Sequence, residues 1–401
     1  MLTRSPLFVA FCLAATLSWG LVGCANVDNG TERPATYLAE DGGSSSSGAS
    51  SSSGSSTSSG SSSSGNSSSG GSSTSSSSSS GGPDPFPKGA NIELVTNSAY
   101  LSRAQLLINT ATSRLDIVQF EAKGSSITDI LMDDLIKVHN DPKRKVIIRV
   151  LFDDEIDYNK SQLAKLKEAG ITAKVDSLAI RTHCKLVYTD KAVLVGSTNW
   201  STTSITKNNE ANVMLRLSSA RKTIGSYIDK LWDNSAKHHE TKVGGSKIAA
   251  VYTDRGYEAV AKALIKKAKT SIEVVAYSMN HNPNFKDGPV QRAVAELKAA
   301  VKRGVKVRVL LDQSPWSEFN TNINKTAISQ LKKMGIEARL DPEQQITHAK
   351  VLIVDDKFVV GTNNWGKGGF ELYHEIGIRS EDKKVRDELR AYFDGIWKKS
   401  F

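Results

Sequence analysis

Cysteine is scarce in this 401-residue sequence, and its scarcity excludes several classes of protein. Of three cysteines, Cys12 lies in an apolar N-terminal stretch, Cys24 closely follows that stretch, and Cys184 is the one left in the remainder. One cysteine cannot form an intramolecular disulfide or a paired-cysteine zinc site. We interpret Cys184 as a small buried side chain rather than a reactive thiol.

Long hydrophobic runs are also missing, and a transmembrane helix needs about 20 apolar residues. The nearest candidate is residues 7–21, which follow Arg4 and have the character of a secretory signal. This run leads into Leu-Val-Gly-Cys at 21–24, which resembles the bacterial lipoprotein processing site. We therefore expect 1–23 to be a signal peptide and Cys24 to be lipidated. The protein would then be exported and anchored to a bacterial membrane, on its periplasmic or cell-surface side.

Apolar residues are almost absent from residues 43–82, which are nearly all Ser, Gly and Thr. Such a segment cannot offset the entropy lost on ordering, so residues 24–87 are predicted to form a lipidated, disordered tether. The rest of the chain has the composition of a folded protein. The net charge of +10 favours a phosphate-bearing partner, either a phospholipid membrane surface or nucleic acid.

The folded part contains two copies of one sequence motif. Each copy reads His-x-Lys-x-x-x-x-Asp, then a Gly-Ser/Thr-x-Asn-Trp loop after five intervening residues, then a Glu 27 residues beyond the His. The matched residues are His183, Lys185, Asp190, Gly196, Ser197, Asn199 and Glu210 in the first copy, and His348, Lys350, Asp355, Gly361, Thr362, Asn364 and Glu375 in the second. Two complete copies are a far more specific signal than one.

The copies lie 165 residues apart, and the same spacing relates Gly170 to Gly335 and Trp232 to Trp397. Strands alternating with helices, and nearly continuous apolar strands, predict an α/β sandwich with largely parallel strands. The apolar spacing predicts helices at 98–112, 127–138, 160–169, 218–233, 257–269, 290–301, 325–334 and 382–397.

The repeat also predicts the domain organisation. We expect two duplicated α/β/α halves, 88–241 and 247–401, joined by a glycine-containing segment at 242–246. Pseudo-two-fold symmetry would bring both motifs to one shared active site, in a monomer that is an internal pseudo-dimer.

The residue types indicate phosphate chemistry. His183 and Lys185 are two apart, so on a strand they share a face, as do their counterparts in the second copy. The loops add hydroxyl and amide donors for phosphate oxygens, from Ser197 and Asn199 in one copy and Thr362 and Asn364 in the other. Together they would form a phosphate site with a nucleophile or base on one side and an acid on the other.

These motifs resemble those of the phospholipase D superfamily in its two-motif form, over residues 88–401. There are two departures: Thr362 stands where Ser is usual, and five residues rather than the commoner six separate each Asp from its Gly. The resemblance implies that His183 attacks phosphorus to form a phosphohistidine and that His348 acts as the general acid. It implies no cofactor.

The resemblance also implies roles for the remaining residues of each motif. Transition-state stabilisation would fall to Lys185, Lys350, Asn199 and Asn364. Glu210 and Glu375 would each orient a His through its second nitrogen. The two Asp residues of the motifs, Asp190 and Asp355, fall on the opposite strand face and are expected to be structural.

Four functions remain open. The chain could hydrolyse phospholipid headgroups, cleave nucleic acid, transfer phosphatidyl groups as cardiolipin synthases do, or serve as an inactive envelope-tethered binding module. Complete motifs in both halves argue against the last. We expect no metal in the site, because the Lys beside each His would repel a cation and the folded part has no His-x-x-x-His pair.

Two loops are expected at the mouth of the site, beyond the carboxyl ends of strands. The first contains Asp153, Asp154 and Glu155, and the second contains Trp316. Acidic and aromatic side chains there would favour a cationic amine headgroup over a polynucleotide. The sequence hypothesis is therefore selection of choline- or ethanolamine-type phospholipids.

Overall fold

A computed structural model describes residues 91–241, 244–313 and 316–401 of this protein. The predicted signal peptide, the Cys24 lipidation site and the Ser/Gly-rich tether lie outside the described residues. Within the described ranges, none of the helices combines the length and hydropathy needed to cross a membrane.

The first half alternates strands and helices. Its elements are β1 (Ile92–Thr96), α1 (Ala99–Thr110), β2 (Arg114–Gln119), α2 (Ser126–Asn140), β3 (Ile147–Phe152), α3 (Asp157–Glu168), β4 (Thr172–Val175), β5 (Lys185–Thr189), β6 (Val193–Gly196), α4 (Thr202–Thr206), β7 (Ala211–Leu215) and α5 (Ser218–Asp233). Helix α1 buries Tyr100, Ala104 and Ile108, one helical turn apart, which is the apolar face predicted from the sequence. Gly170 follows α3 with φ of 82°, a conformation that glycine adopts without strain.

The second half repeats this order. Its elements are β8 (Gly244–Gly245), β9 (Ala250–Thr253), α6 (Gly256–Lys267), β10 (Ser271–Ala276), α7 (Pro289–Lys302), β11 (Lys306–Leu311), α8 (Glu318–Lys333), β12 (Glu337–Leu340), β13 (Val351–Val354), β14 (Lys357–Gly361), a π-helical turn (Gly368–Leu372), β15 (Ile376–Ser380) and α9 (Lys383–Trp397). Gly335, the counterpart of Gly170, also has a positive φ, 78°. The duplicated α/β architecture is therefore confirmed.

Each half contains one mixed sheet. The strand order is β1-β7-β6-β5-β2-β3-β4 in the first half and β12-β11-β10-β13-β14-β15-β9-β8 in the second. Only β2-β3-β4 and β10-β11-β12 pair in parallel, while the other neighbours are antiparallel. The prediction of largely parallel strands is wrong.

Some strands that are buried on both faces are antiparallel, although their apolar sequences predicted parallel strands. Strands β5 and β6 are wholly buried, yet they are antiparallel neighbours. Only residues 190–192 lie between them, and a parallel connection would need a crossover of roughly a dozen residues. Continuous apolar character reports burial on both faces and does not report strand direction.

The halves share a hydrophobic core. One buried cluster contains Val195 and Ile228 of the first half together with Val360 and Trp397 of the second. Helices α5 and α9 supply much of this cluster, and two further clusters lie within the individual halves. Burying one such large apolar side chain stabilises a fold by about 1.5–3 kcal/mol, so the shared cluster fixes the halves firmly against each other.

Candidate active site

Two isolated β-bridges join the halves at the motifs. Thr182 pairs with His374, and Asn209 pairs with Thr347. The residue before each motif His thus lies beside the residue before the Glu of the other half. The N–H of His183 donates to the carbonyl of His374 at 3.0 Å, and the N–H of His348 donates to the carbonyl of Asn209 at 2.9 Å.

These bridges pair each His with the Glu of the opposite half. Nδ1 of His183 lies 2.9 Å from Oε1 of Glu375, and Nδ1 of His348 lies 3.0 Å from Oε1 of Glu210. All four side chains are buried. Because an ionised carboxylate only accepts hydrogen bonds, each pair places the proton on Nδ1 and assigns Nε2 to the chemistry. The sequence did not indicate which Glu serves which His.

The charge of Glu210 is held by its surroundings. Burial by itself raises the pKa of this carboxyl, but the charge and hydrogen bond of His348, with the charge of Lys350, outweigh burial and lower the pKa below its usual value. Glu210 therefore stays ionised near neutral pH and can stabilise a protonated His348.

Ser197 and Thr362 do not take the role predicted for them. The hydroxyl of Ser197 donates to Oε2 of Glu210, and the hydroxyl of Thr362 donates to Oε2 of Glu375. A hydroxyl has one proton to donate, so here it serves a buried carboxylate instead of a phosphate oxygen. Thr362 replaces Ser without loss because only the hydroxyl is used.

The glycine before each hydroxyl is required by close packing. A Cβ on Gly196 would lie 2.4 Å from the carbonyl oxygen of Ala211, and one on Gly361 would lie 2.8 Å from that of Ile376. Neither distance is possible for a real side chain. The glycines therefore let strands β6 and β14 approach the segments that carry the two Glu residues.

The two motif Lys residues are buried beside the His residues. Nζ of Lys185 donates to the carbonyl of His183 at 3.0 Å, and Nζ of Lys350 donates to the carbonyl of His348 at 2.7 Å. Only 2% of Lys185 and 5% of Lys350 is exposed. Buried ammonium groups are costly, so their retention here marks a site for negative charge.

An aromatic ring packs against each of these His–Lys pairs. Phe120 lies edge-on to His183 with ring centroids 4.9 Å apart, and Tyr277 lies edge-on to His348 at 5.0 Å. The same rings face Lys185 at 4.8 Å and Lys350 at 5.3 Å. The sequence analysis did not identify these two rings, although an aromatic residue directly follows both β2 and β10 and could have indicated them.

The two motif Asn residues lie in different surroundings. Nδ2 of Asn199 donates to Oε2 of buried Glu121 at 3.4 Å. Asn364 is half-buried and lies at the equivalent position of the second-half loop, after Gly361 and Thr362. The Trp after each Asn is buried, and Nε1 of Trp200 donates to the hydroxyl of Tyr100 at 2.9 Å. The Trp residues thus anchor the loops in the core.

Asp190 and Asp355 stabilise turns remote from the His residues. Asp190 accepts hydrogen bonds from the N–H groups of Thr112 and Ser113, at 2.8 and 3.1 Å. Burial alone raises its pKa, but these bonds outweigh burial and lower the pKa to about 2. Asp355 accepts from three consecutive N–H groups at residues 269–271. Both carboxylates therefore have the structural role that the sequence predicted.

Asp153 is not a mouth residue, which corrects the sequence hypothesis. Its side chain is fully buried, and Oδ2 accepts the N–H of Thr182 at 2.8 Å. Asp312 does the same in the second half, accepting the N–H of Thr347 at 2.8 Å. An Asp after β3 or β11 therefore fixes the backbone that leads into each His.

The other two acidic residues predicted at the mouth, Asp154 and Glu155, do not offer free charge to the solvent. Glu155 accepts a hydrogen bond from Arg181, and the N–H of half-buried Asp154 donates to Asp176 at 2.8 Å. Trp316 alone of the four remains strongly exposed, at 53%. The four residues therefore do not form an open acidic surface.

Arg181 is a site residue that the sequence did not reveal. It is buried, and its guanidinium lies over Tyr373 at 5.1 Å and Phe120 at 5.7 Å. The ring of Tyr373 lies 6.2 Å from that of His183. The position equivalent to Arg181 is Ile346, so the repeat gave no signal for it.

A second carboxyl lies behind each of the two buried Asp residues. Burial and the charge of Asp153 raise the pKa of Asp176 to about 9, and burial and the charge of Asp312 raise the pKa of Asp341 to about 8. Like charges in one buried place cannot both ionise cheaply, so each pair holds a proton near neutral pH.

We expect Asp341→Asn to stabilise the protein most in mildly alkaline solution. The folded chain keeps a proton that an unfolded carboxyl releases near about pH 4, so the free energy of unfolding falls as pH rises toward the folded pKa of about 8. The decline is at most about 1.4 kcal/mol per pH unit. Asparagine keeps the acceptor for the N–H of Gln313 and removes this decline.

Thermal melting at a series of pH values between about 4 and 8 checks this expectation. The control is Asp233→Asn, at an exposed position, which should leave the pH dependence of the wild type unchanged. An Asp341→Asn variant with the wild-type slope would contradict the assignment of a buried proton to this pair.

Comparison with known proteins agrees with this geometry. A family model described as "Cardiolipin synthase, PLD-like domain" matches residues 106–232 and again residues 261–397. Each matched segment contains one His, one Lys and one Glu of the site. Together the two segments cover more than half of the chain.

Two relatives illustrate the similarity in sequence. The chain is 33% identical over 138 residues to the mitochondrial cardiolipin hydrolase of Chlamydomonas reinhardtii, which covers 33% of this chain and 57% of that protein. It is 29% identical over 154 residues to a phospholipase D of Rickettsia conorii, which covers 38% of this chain and 70% of that protein. The first alignment thus spans little more than half of the relative.

A solved structure has the same overall fold. Phosphatidylserine synthase from Haemophilus influenzae superposes with a TM-score of 0.60 over 78% of this chain and 87% of its own, at 12% sequence identity. At this identity the likeness concerns the fold alone. With two family matches and two crossed His–Glu pairs, the chain belongs to the phospholipase D superfamily, with one PLD-like domain in each half.

Proposed function

We propose that this protein is a phosphodiesterase of phospholipase D type that hydrolyses the headgroup of membrane phospholipids. The observation that carries the proposal is the pair of buried His residues, each oriented by a Glu of the other half and each adjacent to a buried Lys. This arrangement supplies a nucleophile, an acid and two cations around one phosphate.

The reaction proceeds in two displacements. Nε2 of His183 attacks phosphorus and forms a P–N bond, while the P–O bond to the headgroup breaks and the leaving oxygen takes a proton from Nε2 of His348. Neutral His348 then removes a proton from water, whose oxygen attacks phosphorus. The P–N bond breaks, which regenerates His183 and releases phosphatidic acid. The family resemblance supports giving the nucleophilic role to His183.

The surface around the site favours a lipid substrate. Leu178, Trp316 and Phe319 are 76%, 53% and 65% exposed. Leu178 lies between β4 and His183, and the other two follow β11, whose Asp312 holds the backbone before His348. Leu178 and Trp316 lie outside helices and strands, and Phe319 lies in the first turn of α8. Large exposed apolar side chains near a site are suited to contact a membrane interface. We call Leu178, Trp316 and Phe319 the apolar rim.

The net charge of +10 keeps a nuclease as the second candidate. The deciding assay gives the purified protein phosphatidylcholine, phosphatidylethanolamine and phosphatidylglycerol vesicles, and single-stranded DNA, with His348→Ala as the blank. We expect phosphatidic acid from at least one lipid. Faster cleavage of DNA than of every lipid would contradict the proposal, and cardiolipin made from phosphatidylglycerol would indicate transfer instead of hydrolysis.

We expect the triple variant Leu178→Ser/Trp316→Ser/Phe319→Ser to lose at least about tenfold of its activity on vesicles, because each apolar contact with the interface contributes about 1 kcal/mol or more. Its activity on a soluble short-chain phospholipid should be nearly unchanged. Ile147→Ser is the matched control, since Ile147 is 68% exposed at the amino end of β3, away from the site loops. Equal losses on both substrates would contradict a role in membrane contact.

A further inference from the structure

A second cluster of titratable groups lies next to Glu375, which directly precedes β15. It contains His238, Asp254 and His374, of which Asp254 and His374 are almost completely buried. Nδ1 of His374 lies 3.1 Å from Oδ1 of Asp254, and Nδ1 of His238 lies 3.7 Å from Oδ2 of Asp254. The three potential ligand atoms all lie within 4.8 Å of one another.

The protons of His374 can be assigned from its other contact. Nε2 of His374 lies 2.9 Å from the carbonyl oxygen of Ser235. A carbonyl only accepts, so Nε2 donates to it and Nδ1 is the ring nitrogen that faces Asp254. A metal ion bound at Nδ1 would lie between the ring and this carboxylate.

His238 adds a third group that faces the same carboxylate. Its Nδ1 is buried and makes no hydrogen bond within the part of the chain that the structure describes. It points a further nitrogen toward the same carboxylate that faces His374. A single extra proton on His374 would satisfy one contact only, whereas a metal ion would satisfy all three.

The distances suit a small tetrahedral ion. Ligands at about 2.0–2.1 Å from zinc lie about 3.3–3.4 Å apart in a tetrahedron. Nδ1 of His374 lies 3.1 Å from Oδ1 of Asp254, which is close to that value, and Nδ1 of His238 lies 3.7 Å from the other oxygen, Oδ2. The carboxylate thus presents one oxygen to each imidazole, and one ligand atom from each of the three residues lies within 4.8 Å of the others. Two imidazole nitrogens and one carboxylate oxygen are ligands that zinc accepts, with water in the fourth position.

The surroundings orient two of the three ligands, His374 and Asp254. The hydrogen bond from Nε2 of His374 to Ser235 is the contact that a metal-bound His usually makes with its second nitrogen. Asp254 accepts hydrogen bonds from the hydroxyl of Tyr227 at 2.6 Å and from the N–H of His239. We propose that His238, Asp254 and His374 bind one Zn²⁺ ion.

The ion would connect the segment between the halves to the active site. His238 lies in the segment after α5, and His374 directly precedes Glu375 and accepts the N–H of His183. The zinc would brace the His183 side of the site and take no part in phosphate chemistry. Asn209 is the counterpart of His374, and Asn97, directly after β1, is the counterpart of Asp254, directly after β9. Their amides serve hydrogen bonds instead, so the described residues form no such site on the His348 side.

Metal analysis of the full-length protein tests the proposal. After treatment with a chelator, the protein is incubated with Zn²⁺, desalted and analysed for bound metal. We expect about one zinc ion per chain in the wild type and in His239→Ala, and almost none in His238→Ala. His238 is partly exposed outside helices and strands, so this variant should fold. His239 is its neighbour and is not a proposed ligand.

Two further readouts separate this site from the active site. Co²⁺ in place of zinc should give the visible absorption of a tetrahedral ion in the wild type and in His348→Ala, but not in His238→Ala. Zn²⁺ should raise the melting temperature of the wild type by at least about 3 °C and leave that of His238→Ala unchanged. The proposal is overturned if the wild type retains no zinc, if His238→Ala binds as much as the wild type, or if His348→Ala loses the ion.

Discussion

Replacing either His183 or His348 by alanine should lower turnover by at least about 10⁴-fold, because residues of a catalytic unit cannot substitute for one another. Each imidazole is held by a Glu of the other half and lies beside the Lys of its own motif. Alanine at either position removes the nucleophile or the acid and leaves the other part intact. The measurement is phosphatidic acid release, with His139→Ala on the exposed end of α2 as the control.

The covalent intermediate distinguishes the two His residues. Wild-type protein quenched in acid-free denaturant during turnover should carry the phosphatidyl group on His183, identified by peptide mass analysis. His183→Ala should show no adduct at all. An adduct on His348 would reverse the assignment of nucleophile and acid, and a wild type without any adduct would exclude the two-displacement mechanism.

Substitution of either crossed Glu residue is expected to have the second large effect on turnover. We expect Glu375→Gln and Glu210→Gln each to lower kcat by about 10²- to 10⁴-fold with little change in KM, as loss of the carboxylate does in Ser-His-Asp sites. A glutamine can present an N–H to Nδ1, which favours the wrong tautomer of the His. The affected His lies in the other half of the chain in both cases.

Leaving-group chemistry separates these two variants. A phosphodiester with a p-nitrophenyl leaving group needs no proton from the acid, so Glu210→Gln should form the covalent intermediate almost as fast as the wild type. Glu375→Gln should remain slow, since it disturbs the nucleophile. The measurement is the burst of nitrophenol. Equal rescue of both variants would contradict the crossed assignment, and a change in KM alone would place the Glu residues on the substrate.

The sequence predicted helix boundaries well where the buried face of the helix is apolar, and less well where that face contains polar residues. The predicted helix 218–233 coincides with α5. The helix predicted at 325–334 begins earlier, at Glu318. Its first turns bury Asn320 and Asn324, whose amides both donate to the carbonyl of Tyr277, at 2.9 and 2.7 Å. Buried polar residues of this kind look like surface residues in a sequence.

The repeat identified the residue types of the site but could not show their partners. A spacing of 165 relates equivalent positions and says nothing about which half contacts which. The pairing of His183 with Glu375 depends on bridges formed only after the halves pack. The same limit explains why Ser197 was expected on the phosphate, because its acceptor, Glu210, lies 13 residues away, directly before the neighbouring strand β7.

Asymmetric residues escaped prediction for a related reason. Arg181 and the zinc ligand His374 have Ile346 and Asn209 as counterparts, so comparison of the two copies discards them. Asp153 was misplaced because an Asp after a strand has the same appearance in a sequence whether it faces solvent or the backbone of the next segment. Tertiary contacts, which the sequence does not show, decide where such side chains lie.

The crossed pairing has a consequence for inheritance. A gene encoding only one such half could produce an active enzyme only as a homodimer, in which each chain supplies a glutamate to the other. In a single chain that holds both halves, this mutual dependence lies within one gene product. A mutation that displaces Glu375 then changes the orientation of His183, which lies 192 positions earlier in the chain. Two defective alleles, one altered in each half, could accordingly restore function to each other if their products exchanged halves.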